Sequence, residues 1–297
     1  MNKKLFHSTP KNISVIQVIL PILLVTLIAL SGCDENPTEV EEYDPEPMLT
    51  AFLYNGEPLT HVFLERVAPI NGYFQPRNYF ISGADIILFP VDNPGEGDTL
   101  EFVESASSVH GWIYRPAHNE IFIPQSLVRY RIEVRKPSEN IYLWAETTIP
   151  DTFTLEISPY EIEFDSITVP LDWNDTPINL RWTDSEGSAC YVFSSVAMEM
   201  SPLIPLDPEM DPDDIDGTQE IEILNKNSTG MDIPWMNFEW VGWHWIQIQA
   251  VNLEQMEYLQ SLFVDPNINP IFNVQGGLGI FSGISRQDFY VNLQRVR

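Results

Sequence analysis

Short runs of alternating apolar and polar residues dominate the chain between residues 48 and 150. In the first run Leu49, Ala51 and Leu53 share one face, and Asn55-Gly56 then supplies a hairpin-type turn. Prolines and glycines separate the runs. Proline has no backbone N–H, so it is expected between strands, where no ladder hydrogen bond is needed. No segment here has a helical period, so we predict an antiparallel β-sandwich. Its further strands are predicted at His61–Val67, Ala84–Phe89, His110–Tyr114, Val128–Val134 and Ile141–Ile149.

A second β-sandwich domain is predicted over residues 151–297, because Pro150-Asp151 marks a boundary. Ile178–Trp182 and Tyr191–Phe193 resemble the B and C strands of a fibronectin type III-like domain, in which a buried tryptophan faces a buried tyrosine. Residues 201–220 form an acidic, proline-rich insertion. Strands resume at Glu220–Leu224 and Trp243–Ala250.

One helix is predicted in this second half, at Leu253–Phe263, where apolar residues recur on a single helical stripe. Asn252 can cap the helix, and Gln255 occupies the capping-box position. Asp265-Pro266 ends it. The predicted fold class is therefore mainly β, with two antiparallel, immunoglobulin-like β-sandwich domains and one short helix in the second.

The N-terminus has the layout of a secretory signal peptide over residues 1–32. Three lysines precede an apolar run from Ile13 to Leu30, and the run ends in Leu30-Ser31-Gly32-Cys33. This ending resembles the lipobox of bacterial lipoproteins, which implies that the chain is cut before Cys33 and that Cys33 is acylated. A transmembrane anchor with an incidental Cys33 is the alternative, since about 18 apolar residues are borderline for spanning.

Residues 33–47 are acidic and proline-rich, so we predict a disordered tether. It is interpreted either as a signal for the outer face of the outer membrane or as a solvated spacer. Removal of residues 1–32 leaves 12 Lys and Arg against 43 Asp and Glu, a formal charge of −31. That charge argues against nucleic acid as a partner and against anionic lipid headgroups. Membrane attachment is therefore assigned to acyl chains on Cys33.

A lone cysteine, Cys190, remains in the mature chain if Cys33 is acylated, so no intramolecular disulfide is expected. It lies in the apolar segment 189–193, where no basic residue is adjacent to lower its pKa. We predict a buried core thiol.

A family resemblance rests on three features in this order: Ile81–Ile87 in the first sandwich, the helix near Tyr258-Leu259, and Asn273–Phe281. Together they resemble a domain-of-unknown-function family of Bacteroidota outer-membrane lipoproteins, over nearly all of the mature chain. Members are often encoded beside TonB-dependent receptors, so the resemblance implies a role associated with transport. It supplies no catalytic residues.

Residues that could support catalysis do not form a known motif. His61, His110, His118 and His244 show no metal-ligand spacing, and there is no G-x-S-x-G elbow. The glycine-rich segment Gly276–Gly283 lacks the lysine and serine or threonine of a phosphate loop, which favours a turn or bulge at a sheet edge. We therefore predict that the protein is not an enzyme and has no cofactor.

The acidic residues between Asp207 and Asp216 raise the question of a calcium site. In EF-hand register, Gly217 at position six places Pro212 at position one and Ile223 at position twelve, where carboxylates are required. The loop therefore fails as an EF-hand, and no metal ligand is assigned. An irregular calcium site and a solvated acidic loop both remain open.

Four of the eight tryptophans lie within the eleven residues from Trp235 to Trp245. Alternation places Trp243 and Trp245 on one face of a strand with two glutamines, and His244 on the opposite, more apolar face. An exposed aromatic pair can stack on sugar rings or fill a pocket of a partner. Trp243 and Trp245 are thus the candidate binding residues, unless the helix or the acidic insertion covers them.

These features predict a lipid-anchored binding protein of the outer membrane. The preferred role is an accessory or ligand-capturing partner of an outer-membrane transporter, such as a TonB-dependent receptor. The alternative is a surface module that binds carbohydrate or peptide on its own.

Overall fold

The computed structural model describes residues 45–68, 79–92, 99–107, 111–171, 176–198, 203–215, 217–225, 227–264 and 270–295. The leader, Cys33 and the tether up to residue 44 lie outside the described residues, as do His110 and Asp216. Within the described ranges, no helix combines the length and the apolarity needed to cross a bilayer.

The described residues are mainly strand, as predicted, with one α-helix. The strands are β1 (Pro47–Tyr54), β2 (Phe63–Arg66), β3 (Asp85–Pro90), β4 (Leu100–Ser107), β5 (Gly111–Pro116), β6 (Arg129–Lys136), β7 (Ile141–Thr148), β8 (Leu155–Ser158), β9 (Ser166–Leu171), β10 (Ile178–Trp182), β11 (Cys190–Ala197), β12 (Ile204–Pro205), β13 (Thr218–Asn225), β14 (Gly230–Ile233), β15 (Trp240–Val251) and β16 (Leu278–Arg295). The helix, α1, is Leu253–Val264 and confirms the prediction over residues 253–263. Short 3₁₀ turns occupy Ala117–Asn119, Pro137–Glu139, Pro212–Asp214 and Trp235–Asn237.

The first hydrophobic core lies between a five-stranded antiparallel sheet and part of a larger sheet. The smaller sheet has the order β5-β4-β3-β6-β7, and β2, β1 and the start of β16 supply the opposite layer. Leu49, Ala51 and Leu53 all point into this core, as the alternation predicted. Phe281 of β16 joins them from the far end of the chain.

The second core lies between the rest of the larger sheet and a three-stranded sheet of order β14-β10-β8. The larger sheet contributes β11, β15, β9 and the second half of β16. Trp182 and Tyr191 are buried here with their ring centroids 5.4 Å apart, which is the pair that the sequence predicted.

Strand β16 contributes to both cores along its 18 residues. Its first part pairs in parallel with β1, from Leu278 to Ile284, and its second part pairs in parallel with β9. Its other edge is antiparallel to β15. Residues from Pro45 onward form one compact unit, so the division into two domains at residue 150 stays a prediction.

Glycines of the segment Gly276–Gly283 permit the close approach of β16 to its neighbours. Gly279 has a φ of +117°, and a Cβ there would lie 1.9 Å from the Leu49 carbonyl oxygen. A Cβ on Gly283 would lie 2.7 Å from the Ile149 Cα. The predicted structural role of these glycines is therefore correct, but Gly279 acts inside the larger sheet rather than at its edge, and Gly283 faces the residue that follows β7.

Asn252 links the start of α1 to both neighbouring layers. Its Oδ1 accepts hydrogen bonds from the Gln255 backbone N–H at 3.1 Å and from the Ser282 hydroxyl at 3.1 Å. Its Nδ2 donates to Thr147 Oγ1 at 2.5 Å. The predicted cap is thus confirmed. Among the described residues Gln255 Oε1 has no hydrogen-bond partner, so the reciprocal capping-box bond is not formed.

Candidate binding surface

Strand β15 separates an apolar inner face from a polar and aromatic outer face, because side chains alternate along it. His244, Ile246, Ile248 and Ala250 are fully buried on the inner face. Trp243, Trp245, Gln247 and Gln249 lie on the outer face, which we name the tryptophan face. The predicted division of the strand is therefore confirmed.

The two tryptophans of this face differ in their surroundings. Trp243 is 38% exposed. Trp245 is half-buried, and its Nε1 donates to Asp288 Oδ2 at 2.9 Å. Helix α1 packs near the opposite end of the sheet, with Leu259 against Val251 and Ile284. The helix therefore leaves Trp243 accessible to solvent.

An arginine between two aromatic rings borders the tryptophan face. The Arg286 guanidinium lies 5.2 Å from the Trp245 ring centroid and 5.0 Å from that of Tyr54. It forms an ion pair with Glu57 at 2.7 Å. Burial raises the pKa of the Tyr54 hydroxyl, although the nearby arginine opposes this effect. The charge of Arg286 is thus matched within the protein.

Polar groups of three strands continue this surface. Gln247 Oε1 accepts from the Ser194 hydroxyl at 3.3 Å and from Gln249 Nε2 at 3.4 Å. The strand register places Tyr290 opposite Trp245 and Asn292 opposite Trp243. The tryptophan face therefore places aromatic rings beside two amides, of which Gln249 is partly exposed and Gln247 is buried.

The other two tryptophans of the cluster belong to the interior. Trp240 is fully buried and stacks on His244, with ring centroids 4.4 Å apart. Trp235 is partly buried and packs against the second core. The cluster therefore divides into two tryptophans on the surface and two that stabilise the fold.

Ser195 and His244 form a buried pair that the sequence did not reveal. The Ser195 hydroxyl lies 3.0 Å from His244 Nδ1, and His244 Nε2 lies 3.0 Å from the Trp240 carbonyl oxygen. A carbonyl only accepts, so Nε2 carries the proton and Nδ1 accepts from the hydroxyl. Burial lowers the pKa of His244 to about 4. Since both side chains are fully buried, this pair stabilises the core and is not placed to meet a substrate.

Cys190 is a buried thiol, as predicted. It lies beside a cavity of about 430 Å³ whose lining includes Ile223 and Met256. Burial raises the pKa of the thiol to about 11, so the reactive thiolate is scarce at neutral pH.

The acidic segment that includes Asp207 forms local turns in its described part. Asp207 Oδ1 accepts from the Glu209 backbone N–H at 2.9 Å, and Asp211 Oδ1 accepts from that of Asp213 at 3.1 Å. Among the described residues no group of three histidine, cysteine or acidic side chains is arranged to hold a metal ion. Asp216 and His110 lie outside the described residues, so the calcium question and the pairing of His110 with His118 stay open.

These features define a mainly β protein that presents a polar and aromatic sheet face. Residues 34–289 match the family described as "Domain of unknown function (DUF4249)". The chain belongs to this family, in agreement with the resemblance noted in the sequence. No curated protein matches the chain. No solved structure matches it either, so the likeness to fibronectin type III domains stays a prediction.

Proposed function

We propose that this protein is a lipid-anchored binding protein of the cell envelope, and an accessory or ligand-capturing partner of an outer-membrane transporter. The exposure of Trp243 on the tryptophan face is the observation that carries the binding role. Tryptophan is enriched among the residues that dominate the energy of protein interfaces, where it fills a pocket of the partner. The anchor is proposed from the lipobox-like sequence that ends at Cys33.

The surroundings of Trp243 favour binding over catalysis. The nearby charged side chain of Arg286 is paired with Glu57, and the amides of Gln247 and Gln249 are hydrogen-bonded to each other. Amides and a paired arginine can orient a partner but do not act as a general base or nucleophile, and the Asp288 carboxylate on this face already accepts a hydrogen bond from Trp245 Nε1. The proposal is therefore recognition, with TonB-dependent receptors as the proposed class of transporter.

A stand-alone carbohydrate-binding module is the second candidate. Trp245 and the partly exposed amide of Gln249 on the same face favour it, because sugars need both apolar stacking and neutral hydrogen-bonding groups. This candidate predicts binding to a neutral oligosaccharide without any membrane protein.

Alanine substitutions at the two tryptophans test the proposal. Trp243→Ala is expected to keep the fold with a modest loss of melting temperature, because more than a third of the side chain is in solvent. It should weaken the binding of a co-purifying receptor by about 2 kcal/mol, or roughly 30-fold. Trp245→Ala also removes the hydrogen bond to Asp288, so we expect about 1 kcal/mol of lost stability. Quantitative co-purification of the tagged, lipidated protein from envelope extract measures the first effect.

Two control variants make this measurement specific. Tyr142→Ala removes a similarly exposed ring, 46% in solvent, from the first sandwich and should leave receptor retention unchanged. Trp182→Ala removes a core tryptophan and should cost about 3–5 kcal/mol of stability. If Trp243→Ala and Trp245→Ala both retain the receptor as well as the wild-type protein does, the tryptophan face takes no part in the function. Unfolding of both would assign them to the core.

A further inference from the structure

We infer that the docking surface extends from Trp243 across a neighbouring apolar patch and its acidic rim, and that its partner is a protein surface with an apolar centre surrounded by lysine and arginine. This inference rests on the proposed binding function and specifies the chemistry of the partner. It is carried by three exposed apolar side chains on adjacent strands, together with the charge of the segment beside them.

The three side chains are Trp243, Met198 and Ile204. Met198 is 52% exposed and Ile204 is 60% exposed. The Met198 backbone N–H donates to the Trp243 carbonyl oxygen at 3.1 Å, which continues the pairing of β11 with β15. Met198 follows Val196 by two residues, so alternation places both side chains on the face of Trp245 and Trp243.

Strand β12 brings Ile204 beside the start of β15. Ile204 pairs with Val241, which precedes Trp243 by two residues on β15. The backbone N–H of Leu206 donates to the Glu239 carbonyl oxygen at 2.7 Å and holds the following segment against the sheet. Methionine and aromatic residues are enriched at protein interfaces, so an exposed group of this kind favours a protein partner over a sugar.

An acidic rim follows immediately after Ile204. Asp207, Glu209, Asp211 and Asp213 are exposed, and the two turn hydrogen bonds described above fix the first and third of these side chains. Among the described cations Arg295 contacts this segment, through a 3.2 Å hydrogen bond to the Pro205 carbonyl oxygen. One positive charge leaves the rim strongly acidic, so a complementary partner must present basic side chains around its apolar centre.

Binding of two synthetic peptides to the full-length protein in detergent tests this inference by calorimetry. Both peptides carry the same leucine- and phenylalanine-rich core, with flanking lysines in one and flanking glutamates in the other. We expect the lysine-flanked peptide to bind about tenfold more tightly at low salt. The preference should shrink severalfold between about 50 and 300 mM NaCl, because screening weakens exposed charge pairs.

Variants that lack the acidic charges test whether the acidic rim causes the preference for the lysine-flanked peptide. The triple variant Asp207→Asn, Glu209→Gln, Asp211→Asn keeps the oxygen acceptors of the turns and removes only charge, and it should abolish the preference for lysine. The matched triple variant Glu156→Gln, Glu161→Gln, Glu163→Gln removes the same exposed charge elsewhere and should keep the preference. Ile204→Ser should weaken both peptides about equally.

Three outcomes would overturn the inference. The two peptides bind with equal affinity, neither peptide binds, or the two triple variants lose the preference for lysine to the same extent. Binding of a neutral oligosaccharide that competes at Trp243, without peptide binding, would also overturn it. If receptor co-purification still falls in Trp243→Ala while the peptides bind equally, the proposed function stands and only the charge of the partner is wrong.

Discussion

His244 shows how burial controls the chemistry of a single residue on β15. Its two sequence neighbours lie on the tryptophan face, whereas its own ring is enclosed by Trp240, Phe238 and Ser195. Alternation alone placed the ring on the inner face. It could not identify Ser195, because that contact joins residues 49 positions apart across the sheet. Pairing of distant strands is a tertiary property that one sequence does not encode locally.

Protonation of His244 is expected to destabilise the fold in mild acid. Burial lowers its pKa from 6.5 to about 4, so the folded protein resists a proton that the unfolded chain accepts. The stabilisation is complete above pH 6.5 and is lost as the pH falls to about 4, by on the order of 3 kcal/mol. Denaturant unfolding over this pH range measures the free energy of unfolding of His244→Gln and of wild type. The contributions of the carboxylates cancel in the difference between the two proteins.

The matched variant for this measurement is His118→Gln. His118 lies exposed on the 3₁₀ turn Ala117–Asn119, and the variant should keep the wild-type dependence of stability on pH. If His244→Gln shows the same slope as wild type, then His244 does not control the acid response.

At the scale of elements, the alternating strands and α1 were predictable, and β16 was not. Strong period-2 alternation identified β1, β6 and β7, and Asn252 marked the start of the helix. The sequence predicts a turn or bulge at the glycine-rich segment Gly276–Gly283, whereas an 18-residue strand begins there. In the structure Gly276, Gly279 and Gly283 lie where other backbones come too close for a Cβ. Gly279 therefore allows the parallel pairing of β16 with β1, and Gly276 and Gly283 allow the close approach of β7 and the residue after it.

Gly279→Ala is expected to disrupt the pairing of β16 with β1. The new Cβ would lie 1.9 Å from the Leu49 carbonyl oxygen, and the φ of +117° is unfavourable for alanine. Strain and displacement of a buried strand together should cost about 3–5 kcal/mol. The shift of the denaturation midpoint in urea measures this loss.

Gly56→Ala serves as its control at the other end of β1. Gly56 also has a positive φ, +73°, but a Cβ there would meet no atom within 4 Å. Gly56→Ala should therefore lower the free energy of unfolding only by the strain of a left-handed backbone, about 1–2 kcal/mol. Similar losses in the two variants would show that φ alone, and not the approach of Leu49, sets the need for glycine at position 279.

At the scale of the whole molecule, ion pairs use most of the described arginines and leave an excess of unpaired carboxylates on the described surface. The described arginines are largely matched: Arg131 and Arg135 both contact Glu133, and Arg181 contacts Asp232. The exposed pair of Arg181 and Asp232 contributes about 1 kcal/mol or less, whereas Glu133 is buried between its two arginines. Because these arginines are already paired, most of the other carboxylates in the described ranges have no cation to neutralise them. Composition predicted a strongly acidic protein, but the sequence alone could not place Asp207, Glu209 and Asp211 beside exposed apolar side chains.

Attachment to the membrane is predicted to depend on Cys33, and thiol counting can test it. In the lipidated protein the Cys33 sulfur is blocked and Cys190 is buried, so an aromatic disulfide reagent should find no thiol in the native state. Unfolding should expose one thiol, that of Cys190. The variant Cys190→Ala should then show none in either state, which assigns the signal. Cys33→Ser should retain its leader and leave the lipidation pathway. Two thiols in the unfolded wild type, or normal processing of Cys33→Ser, would contradict acylation at this cysteine.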